Sequence, residues 1–424
     1  ENQISVIQGP PGTGKTMLIT AGVHAGEYVG IQAAIELSQK LKIEKVTGTI
    51  IIVKVLNRPA FEARNGSMGL ADAKNLNREF PGNPDGTEME RLAWAVSQEL
   101  QPVADLYIDL HSGDDYEKLT PYVYYAGAAP EDVVKVSREM AEQVDVPYMV
   151  KSNVASGGSY NYAASQGIPS ILIERGGMGD WNYEEVRSTR RDVRNILCHM
   201  GIYQGLKDFR TYYPLEVADV RYQDAEENGL WYPFKKVGDM IQEGDILGEV
   251  RDYEGKVKEV SEAEFDGVIL YQTGTLQVVG NGPMVTYGRI VSRYDERKER
   301  RDYEYMKSLY PDVAKRLLPY IEEECDRMEY DNSMMYDEYP DRLQLHLMCK
   351  RVCENVRKHE KIFYGTEYEG LLSQAEENSV MQMEEAERMQ EPESEWEPEF
   401  MQVQEQNRRE PKRRRMPNWL QNLI

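Results

Sequence analysis

One stretch, residues 17–40, constrains the fold of this chain more than any other. It reads MLITAGVHAGEYVGIQAAIELSQK and opens with apolar and β-branched residues, which favour a short buried strand. A glycine-bearing turn follows, and from Glu27 the apolar residues recur with the spacing of an amphipathic helix. His24 and Glu27 therefore lie three residues apart, between a strand and a helix. This spacing lets an imidazole and a carboxylate reach one cation, although a capping glutamate beside a surface histidine gives the same pattern.

The pattern of a strand followed by a helix continues to about residue 205. Further strands are predicted at 49–56, 106–110, 122–125 and 170–173, and helices at 89–99, 130–143 and 184–200. The run TIIIVKVL at 49–56 is apolar almost throughout, which is typical of a strand covered on both faces. Such alternation predicts an α/β domain at 17–212, with a parallel or mixed sheet and flanking helices.

Beyond residue 212 the composition changes twice. Residues 213–290 contain short β-type runs separated by glycine-bearing turns, which predicts a small all-β accessory domain. Its GD-x-I-x-x-GD-x-L-G pattern resembles the barrel-sandwich hybrid of biotinyl and lipoyl carriers, but Lys256 lacks the usual setting of the modified lysine. We therefore predict no carrier role. Residues 291–372 are predicted to be helical, and 373–424 to be a disordered tail, first acidic and then basic.

Charge and composition limit the partners that are expected. The 424 residues carry a formal net charge of −23, which argues against nucleic acid and anionic membranes as partners of the whole molecule. Four cysteines do not form a disulfide framework, and the sequence contains no apolar run of about 18 residues or more. These features predict a cytoplasmic protein, and they leave the oligomeric state open.

A nucleotide-binding motif stands at the start of the chain. Residues 9–16 read GPPGTGKT and fit the pattern G-x-x-x-x-G-K-[ST], and residues 1–16 resemble the P-loop of superfamily-one helicases. A working P-loop needs a helix that begins at its lysine, whereas Lys15 and Thr16 run directly into the predicted strand MLIT. A P-loop protein is thus the alternative from another functional class, and we predict no ATPase activity.

Other chemistry-bearing residues also fall at the ends of predicted strands. His111 follows the strand LYIDL, so His24, Glu27 and His111 offer two nitrogens and one carboxylate and leave one position of a tetrahedral zinc open. Glu174 ends the strand SILI, where it could act as general base and acid or pair with the neighbouring Arg175. Asn77 and Arg78 lie in a long loop. Their amide and guanidinium groups can donate hydrogen bonds to a substrate carboxylate, or they can form an ordinary ion pair within the loop.

Five ordered motifs bring this sequence close to a known family. GVHAGE, NRPAF, NLNREFPG, DLHSGD and ILIERGG resemble the succinylglutamate desuccinylase and aspartoacylase family, over residues 17–290. The resemblance implies a zinc carboxypeptidase-like fold and hydrolysis of the amide bond of an N-acyl amino acid or a peptide-like substrate. A carboxypeptidase-like peptidase or amidase is the alternative on the same scaffold.

The same resemblance assigns roles to individual residues. It implies zinc held by His24, Glu27 and His111, acid–base catalysis by Glu174, and recognition of the substrate carboxylate by Asn77 and Arg78. It also implies an arginine near the oxyanion, for which Arg64 is the candidate in the loop EARNGSMGLADAK.

Overall fold

The computed structural model describes residues 4–292, apart from 11–13, 206, 208, 209 and 211. Nearly all of the predicted helical region 291–372, and the whole predicted tail 373–424, lie outside the described residues. Within the described part, the strands are β1 Ile4–Gln8, β2 Lys15–Ala21, β3 Gly48–Val53, β4 Leu106–His111, β5 Glu117–Leu119, β6 Tyr122–Ala126, β7 Tyr148–Ser152, β8 Ser170–Glu174, β9 Leu215–Asp224, β10 Gly229–Pro233, β11 Met240–Ile241, β12 Ile246–Arg251, β13 Val257–Glu262, β14 Gly267–Thr273, β15 Gln277–Val278 and β16 Pro283–Ile290.

The helices of the described part lie mostly between the strands of the first half of the chain. The α-helices are α1 Tyr28–Lys40, α2 Arg58–Ala63, α3 Glu88–Ala95, α4 Glu131–Ala141, α5 Ser159–Ser165 and α6 Tyr183–His199. Short 3-10 helices span Ile43–Lys45, Leu76–Arg78 and Gln101–Val103, and a π-helical turn spans Val96–Leu100.

Most strands belong to one large mixed sheet, and the mixed α/β architecture is the one predicted for residues 17–212. Its twelve strands follow the order β1-β3-β2-β4-β8-β6-β7-β9-β16-β14-β11, and β5 pairs with β14 off this path. The centre β3-β2-β4-β8 is parallel, whereas β1 and β6 each pair antiparallel with a neighbour. The carboxyl ends of β2, β4 and β8 therefore meet at one edge of the sheet, where ligands collect in open α/β folds.

The core consists of side chains on both faces of this sheet. Along β2, Met17 and Ile19 pack with residues of α1 and α6, while Leu18 between them packs with residues of α3 and α5. Since side chains alternate across a strand, this division shows that the central strands are covered on both sides. Full burial of each such side chain stabilises the fold by roughly 1.5–3 kcal/mol.

Several elements differ from the prediction. The helix predicted at 89–99 is α-helical only to Ala95 and continues as the π-helical turn. Several short elements were not predicted, among them β7, α2 and α5, whose five to seven residues are too few to display a period. In addition, β9 pairs with β7, so strands from the predicted accessory domain extend the large sheet. Only β13-β12-β10-β15 form a separate sheet in the described part, and the domain boundaries remain a prediction.

The P-loop resemblance finds no support in the fold. Lys15 is the first residue of β2, and Lys15 and Thr16 pair in parallel with Gly48 and Thr49 of β3. No helix follows the lysine, so the geometry that presents a helix N-terminus to phosphates does not arise.

In the part of the chain that the structure describes, no helix is long and apolar enough to cross a membrane.

Candidate metal centre

His24 and Glu27 lie in the turn that joins β2 to α1. The turn passes through Gly22, whose φ of +69° is a conformation that side-chain-bearing residues rarely adopt. Glu27 is the N-cap residue of α1, but its side chain caps no helix N–H. Instead Glu27 Oε1 lies 2.7 Å from His24 Nδ1. The turn therefore directs the carboxylate to the imidazole and not to the helix.

His111 joins this pair from the neighbouring strand. The parallel pairing of β2 with β4 places Ala21 beside Leu110, so His111 emerges next to the turn that carries His24. His111 Nδ1 is 2.9 Å from Glu27 Oε2, and the two imidazole rings stand perpendicular with centroids 4.9 Å apart. One ligand atom from each of the three side chains lies within 4.8 Å of the other two. The structure thus brings together the three residues that the sequence singles out as metal ligands.

The outer nitrogen of each imidazole faces an oxygen. His24 Nε2 is 2.9 Å from Asn75 Oδ1, which also accepts the Asn77 N–H at 2.8 Å. Since that oxygen is an acceptor, Nε2 carries a proton, and Nδ1 is the nitrogen left for a cation. His111 Nε2 likewise lies 3.3 Å from Asp109 Oδ2, although without hydrogen-bond geometry. Oxygens of this kind orient metal-binding histidines.

Asn75 and Asp109 are the contributors to the centre that the sequence analysis missed as site residues. Asp109 is held in place because its Oδ1 accepts a hydrogen bond of 2.6 Å from the Thr20 hydroxyl of β2. Asn75 stands two residues before Asn77 in the motif NLNR, and Asp109 two before His111 in DLH. Their polar side chains beside predicted ligands were the available signal, but only folding shows which of them face an imidazole.

The protonation of the three residues suits a cation. Burial by itself lowers the pKa of His24 and of His111, but the Glu27 carboxylate outweighs it and raises both pKa values. Burial by itself raises the pKa of Glu27, but the charges of His111 and His24 lower that pKa to about 2. The buried carboxylate therefore stays charged, and a divalent cation can replace the protons that compensate it. Two nitrogens, one carboxylate and an open position are the donor set of catalytic zinc.

Glu174 lies at the end of β8, directly beside His111 in the register of β4 and β8. Its Oε2 is buried and has no hydrogen-bond partner in the described structure. Arg175 does not pair with it, because Arg175 Nη2 donates to Asp192 Oδ2 at 2.6 Å. Burial, and then the charge of Glu27, raise the pKa of Glu174 well above its ordinary value. A carboxyl group in this state can hold a proton and pass it on.

The three residues assigned to substrate contacts are placed differently. Arg64 is an exposed C-cap residue of α2 with a φ of 54°, and the structure joins it to none of the three ligand candidates. Asn77 is buried and its Oδ1 accepts the Ser159 N–H at 2.9 Å, at the start of α5. Arg78 is exposed and donates to the Asn77 carbonyl at 2.8 Å. The loop of Asn77 and Arg78 passes the centre through Asn75, but neither of them contacts a ligand candidate.

A group of acidic side chains lines the same turn. A Cβ on Gly26 would lie 2.7 Å from Asp114 Oδ1 and 2.9 Å from Asp115 Oδ1, so both carboxylates approach the turn closely. Glu117 Oε2 accepts the Asp114 N–H at 3.3 Å, and burial raises the pKa of Glu117 to about 7. The sequence analysis did not single out these three residues, which occupy the run DDYE after His111.

Known proteins resemble this chain in sequence and structure. Residues 13–200, which include the three ligand candidates and Glu174, match the family model described as the succinylglutamate desuccinylase/aspartoacylase catalytic domain. An N-alpha-acetyl-L-2,4-diaminobutyric acid deacetylase of Halomonas elongata is 33% identical over 268 residues, 61% of this chain and 77% of that protein. A succinylglutamate desuccinylase of a Silicibacter species is 29% identical with a TM-score of 0.60, and an ectoine utilization protein of Ruegeria pomeroyi, in a product-bound structure, is 28% identical with a TM-score of 0.62. Each of these two structures is matched over 68% of this chain and 88% of its own.

Proposed function

The chain belongs to the succinylglutamate desuccinylase/aspartoacylase family, and we propose that it is a zinc-dependent deacylase that hydrolyses the amide bond of an N-acyl amino acid. One observation carries the proposal. The buried group His24, Glu27 and His111 lies beside Glu174, whose buried oxygen has no hydrogen-bond partner in the described structure. A metal-ligand set next to a proton-holding carboxyl group can supply both the Lewis acid and the acid–base group for hydrolysis of an unactivated amide.

Zinc would be held by His24, Glu27 and His111. When bound, zinc lowers the pKa of water toward neutrality and polarises a carbonyl oxygen. Asn75 accepts from His24 Nε2 and so presents the Nδ1 lone pair to the cation. Asp109 Oδ2 faces His111 Nε2 from 3.3 Å without hydrogen-bond geometry, and its charge would orient that imidazole.

Glu174 is the proposed acid–base group. Its carboxylate takes a proton from the attacking water, and the resulting carboxyl group gives that proton to the leaving nitrogen. Burial raises the pKa of Glu174, which strengthens its carboxylate as the base of the first transfer and keeps the proton on the carboxyl group until the leaving nitrogen takes it. Arg64 is a proposed contributor to oxyanion stabilisation, and its exposed position means that substrate binding would have to bring it inward.

The acidic run after His111 favours a substrate with a positive charge. Asp114, Asp115 and Glu117 gather at the His24 turn, and both burial and the Asp114 charge raise the pKa of Asp115. A cationic amino group would relieve this crowding of carboxylates. The Halomonas relative is named for a substrate that bears a free amine. We therefore propose an N-acyl diamino acid as substrate, whose carboxylate Asn77 and Arg78 would bind.

The test of the hydrolase is the variant Glu174→Gln, with Glu62→Gln on exposed α2 as the matched control. Glu174→Gln should retain zinc, measured by metal analysis, and lose about 10²–10⁴-fold in kcat on an N-acyl amino acid. The control should match the wild type in both. Unchanged turnover of Glu174→Gln, or a folded protein that takes up no zinc, would contradict the proposed mechanism.

The test of the substrate compares N-acetyl-diaminobutyrate with N-acetyl-aspartate. Asp115→Asn should reduce kcat/KM for the amine-bearing substrate by about tenfold or more, as expected for a lost charged hydrogen bond. Asp132→Asn, an exposed position on α4, is the control. A preference for N-acetyl-aspartate would refute the diamino acid assignment and leave the deacylase assignment intact.

A further inference from the structure

A cationic cleft lies at the end of α1 that is opposite to the candidate metal centre. It has a volume of about 320 Å³ and includes Leu37 and Leu41 at the C-terminal end of α1, and Tyr203. Ten residues of helix separate Glu27 from Leu37, which corresponds to about 15 Å. The cleft is therefore a second site and not an extension of the first.

Four arginines of α6 form one wall of this cleft. They are Arg187, Arg190, Arg191 and Arg194, whose spacing of three, four and seven residues places them on one face of the helix. Like charges at this spacing oppose helix formation. Burial lowers the pKa of Arg187, and the positive charge of Arg190 lowers it further. Such a row of arginines is costly for a helix that only has to pack.

Three lysines complete the cationic lining. They are Lys40 in the last turn of α1, the exposed Lys42, and the exposed Lys45 in the 3-10 helix that follows. Lys40 complements the negative end of the α1 dipole, which is sufficient reason for one lysine at this position. That reason does not extend to Lys42 and Lys45, which lie beyond the helix.

Two buried carboxylates, Glu36 and Asp145, pair with three of these seven cations. Glu36, only 9% exposed, accepts a 2.7 Å bond from Lys40 and pairs also with Arg190. Asp145, 1% exposed, pairs with Arg191 at 3.0 Å. Among the described residues that line the cleft, seven are cationic and none is acidic, in a chain whose formal net charge is −23. The cleft thus concentrates a charge that is opposite to that of the molecule, which favours an anionic ligand.

We propose that this cleft binds a small organic anion that carries two or more phosphate groups. Guanidinium groups bind phosphate oxygens by paired hydrogen bonds, and the lysines add point charges. Leu37, Leu41 and Tyr203 provide an apolar wall for the organic part of the ligand. The volume is at the lower end of the range of small-molecule sites, so the cleft suits a single small ligand and not a polymer.

The test is calorimetric titration of the full-length protein with pyrophosphate, ADP and adenosine. Lys42→Gln/Lys45→Gln changes two exposed lysines of the cleft, and Lys135→Gln/Lys256→Gln changes two exposed lysines elsewhere. Pyrophosphate and ADP should bind more tightly than about 1 mM, and adenosine should not. The cleft variant should weaken binding of both at least about tenfold, and the control variant should not. Thermal unfolding checks that both variants are folded, and Arg187→Gln provides a second cleft variant.

Comparison of the cleft variant with the control variant also separates this site from the metal centre. Pyrophosphate that binds to zinc would give the same signal in all variants, whereas binding in the cleft would weaken only in the cleft variants. Equal binding by the wild type and both cleft variants would overturn the proposal, as would binding weaker than about 1 mM. Retention of a single-stranded oligonucleotide without binding of pyrophosphate or ADP would also overturn it, in favour of a nucleic-acid surface.

Discussion

Substitution of Asn75 by alanine should weaken zinc binding without changing any ligand. Asn75 Oδ1 accepts from His24 Nε2 at 2.9 Å and from the Asn77 N–H at 2.8 Å. With Asn75→Ala, nothing at this position holds the His24 proton on Nε2. Part of the imidazole population then presents a protonated Nδ1 to Glu27, and that nitrogen cannot bind a cation.

The expected effect can be given a magnitude. Loss of a partner that orients a metal-binding histidine typically weakens affinity by about 10–100-fold, or about 1.4–2.8 kcal/mol. Loss of the bond to Asn77 should cost about 0.5–1.5 kcal/mol of fold stability. The two effects are separable, because the first changes zinc affinity in the folded protein and the second changes the free energy of unfolding.

The assay is competition for zinc against a chromogenic chelator, with urea unfolding of the metal-free protein beside it. Asn65→Ala is the matched control, since Asn65 lies in the same loop and its side-chain Nδ2 donates to the carbonyls of Met68 and Gly69, away from His24. We expect the control to bind zinc like the wild type. Equal zinc affinity of Asn75→Ala and Asn65→Ala would refute the assignment of His24 Nδ1 as a ligand oriented by Asn75.

Three further outcomes are expected. Arg78→Ala should raise KM for substrates with a free carboxylate while zinc content stays constant, as steady-state kinetics and metal analysis would show. Wild-type activity that does not depend on the substrate carboxylate would contradict the role assigned to Arg78. Lys15→Ala should leave deacylase activity unchanged, and neither protein should hydrolyse ATP in a phosphate-release assay; micromolar ATP binding lost only in the variant would contradict this. Burial by itself raises the pKa of Glu36, but the Lys40 hydrogen bond and the Arg190 charge outweigh burial and lower this pKa below its ordinary value of 4.5. The ionised carboxylate therefore stabilises the fold at pH values above 4.5, and this stabilisation is lost as the pH falls and the carboxylate takes up a proton. Glu36→Gln should accordingly reduce the free energy of unfolding by urea at neutral pH, and the difference from the wild type should shrink in acid; a difference independent of pH would contradict the pairing.

The candidate ligands could be predicted from the sequence because the geometry of a parallel sheet leaves little choice. His24 follows one apolar run and His111 ends another, and adjacent parallel strands bring their carboxyl ends to one edge. The same rule places Glu174 beside His111. The apolar runs indicate which strands are buried in the sheet, and the parallel pairing of these strands determines which side chains meet at their carboxyl ends.

The contacts made by loops could not be predicted in the same way. Asn75, Asn77 and Arg78 lie in the long irregular segment that follows α2, and no periodicity fixes the path of such a segment. From the sequence, the guanidinium of Arg78 is expected to be available for a substrate carboxylate, whereas in the structure it donates a hydrogen bond to the Asn77 carbonyl. The extension of the large sheet could not be predicted either, because β7 pairs with β9 and these two strands lie far apart in the sequence.

The motif at residues 9–16 shows why a local pattern can mislead. Eight residues satisfy the P-loop pattern, yet the conformation after Lys15 depends on partners that the pattern does not include. From Met17 onward β2 pairs on one side with β3 and on the other with β4, and Met17, Leu18 and Ile19 are fully buried between covering layers. A helix at this place would break both ladders and expose those side chains, at a cost of roughly 1.5–3 kcal/mol for each. Burial of the central strand therefore outweighs the preference of an eight-residue motif, and it holds His24 at the edge of the sheet where the candidate metal ligands meet.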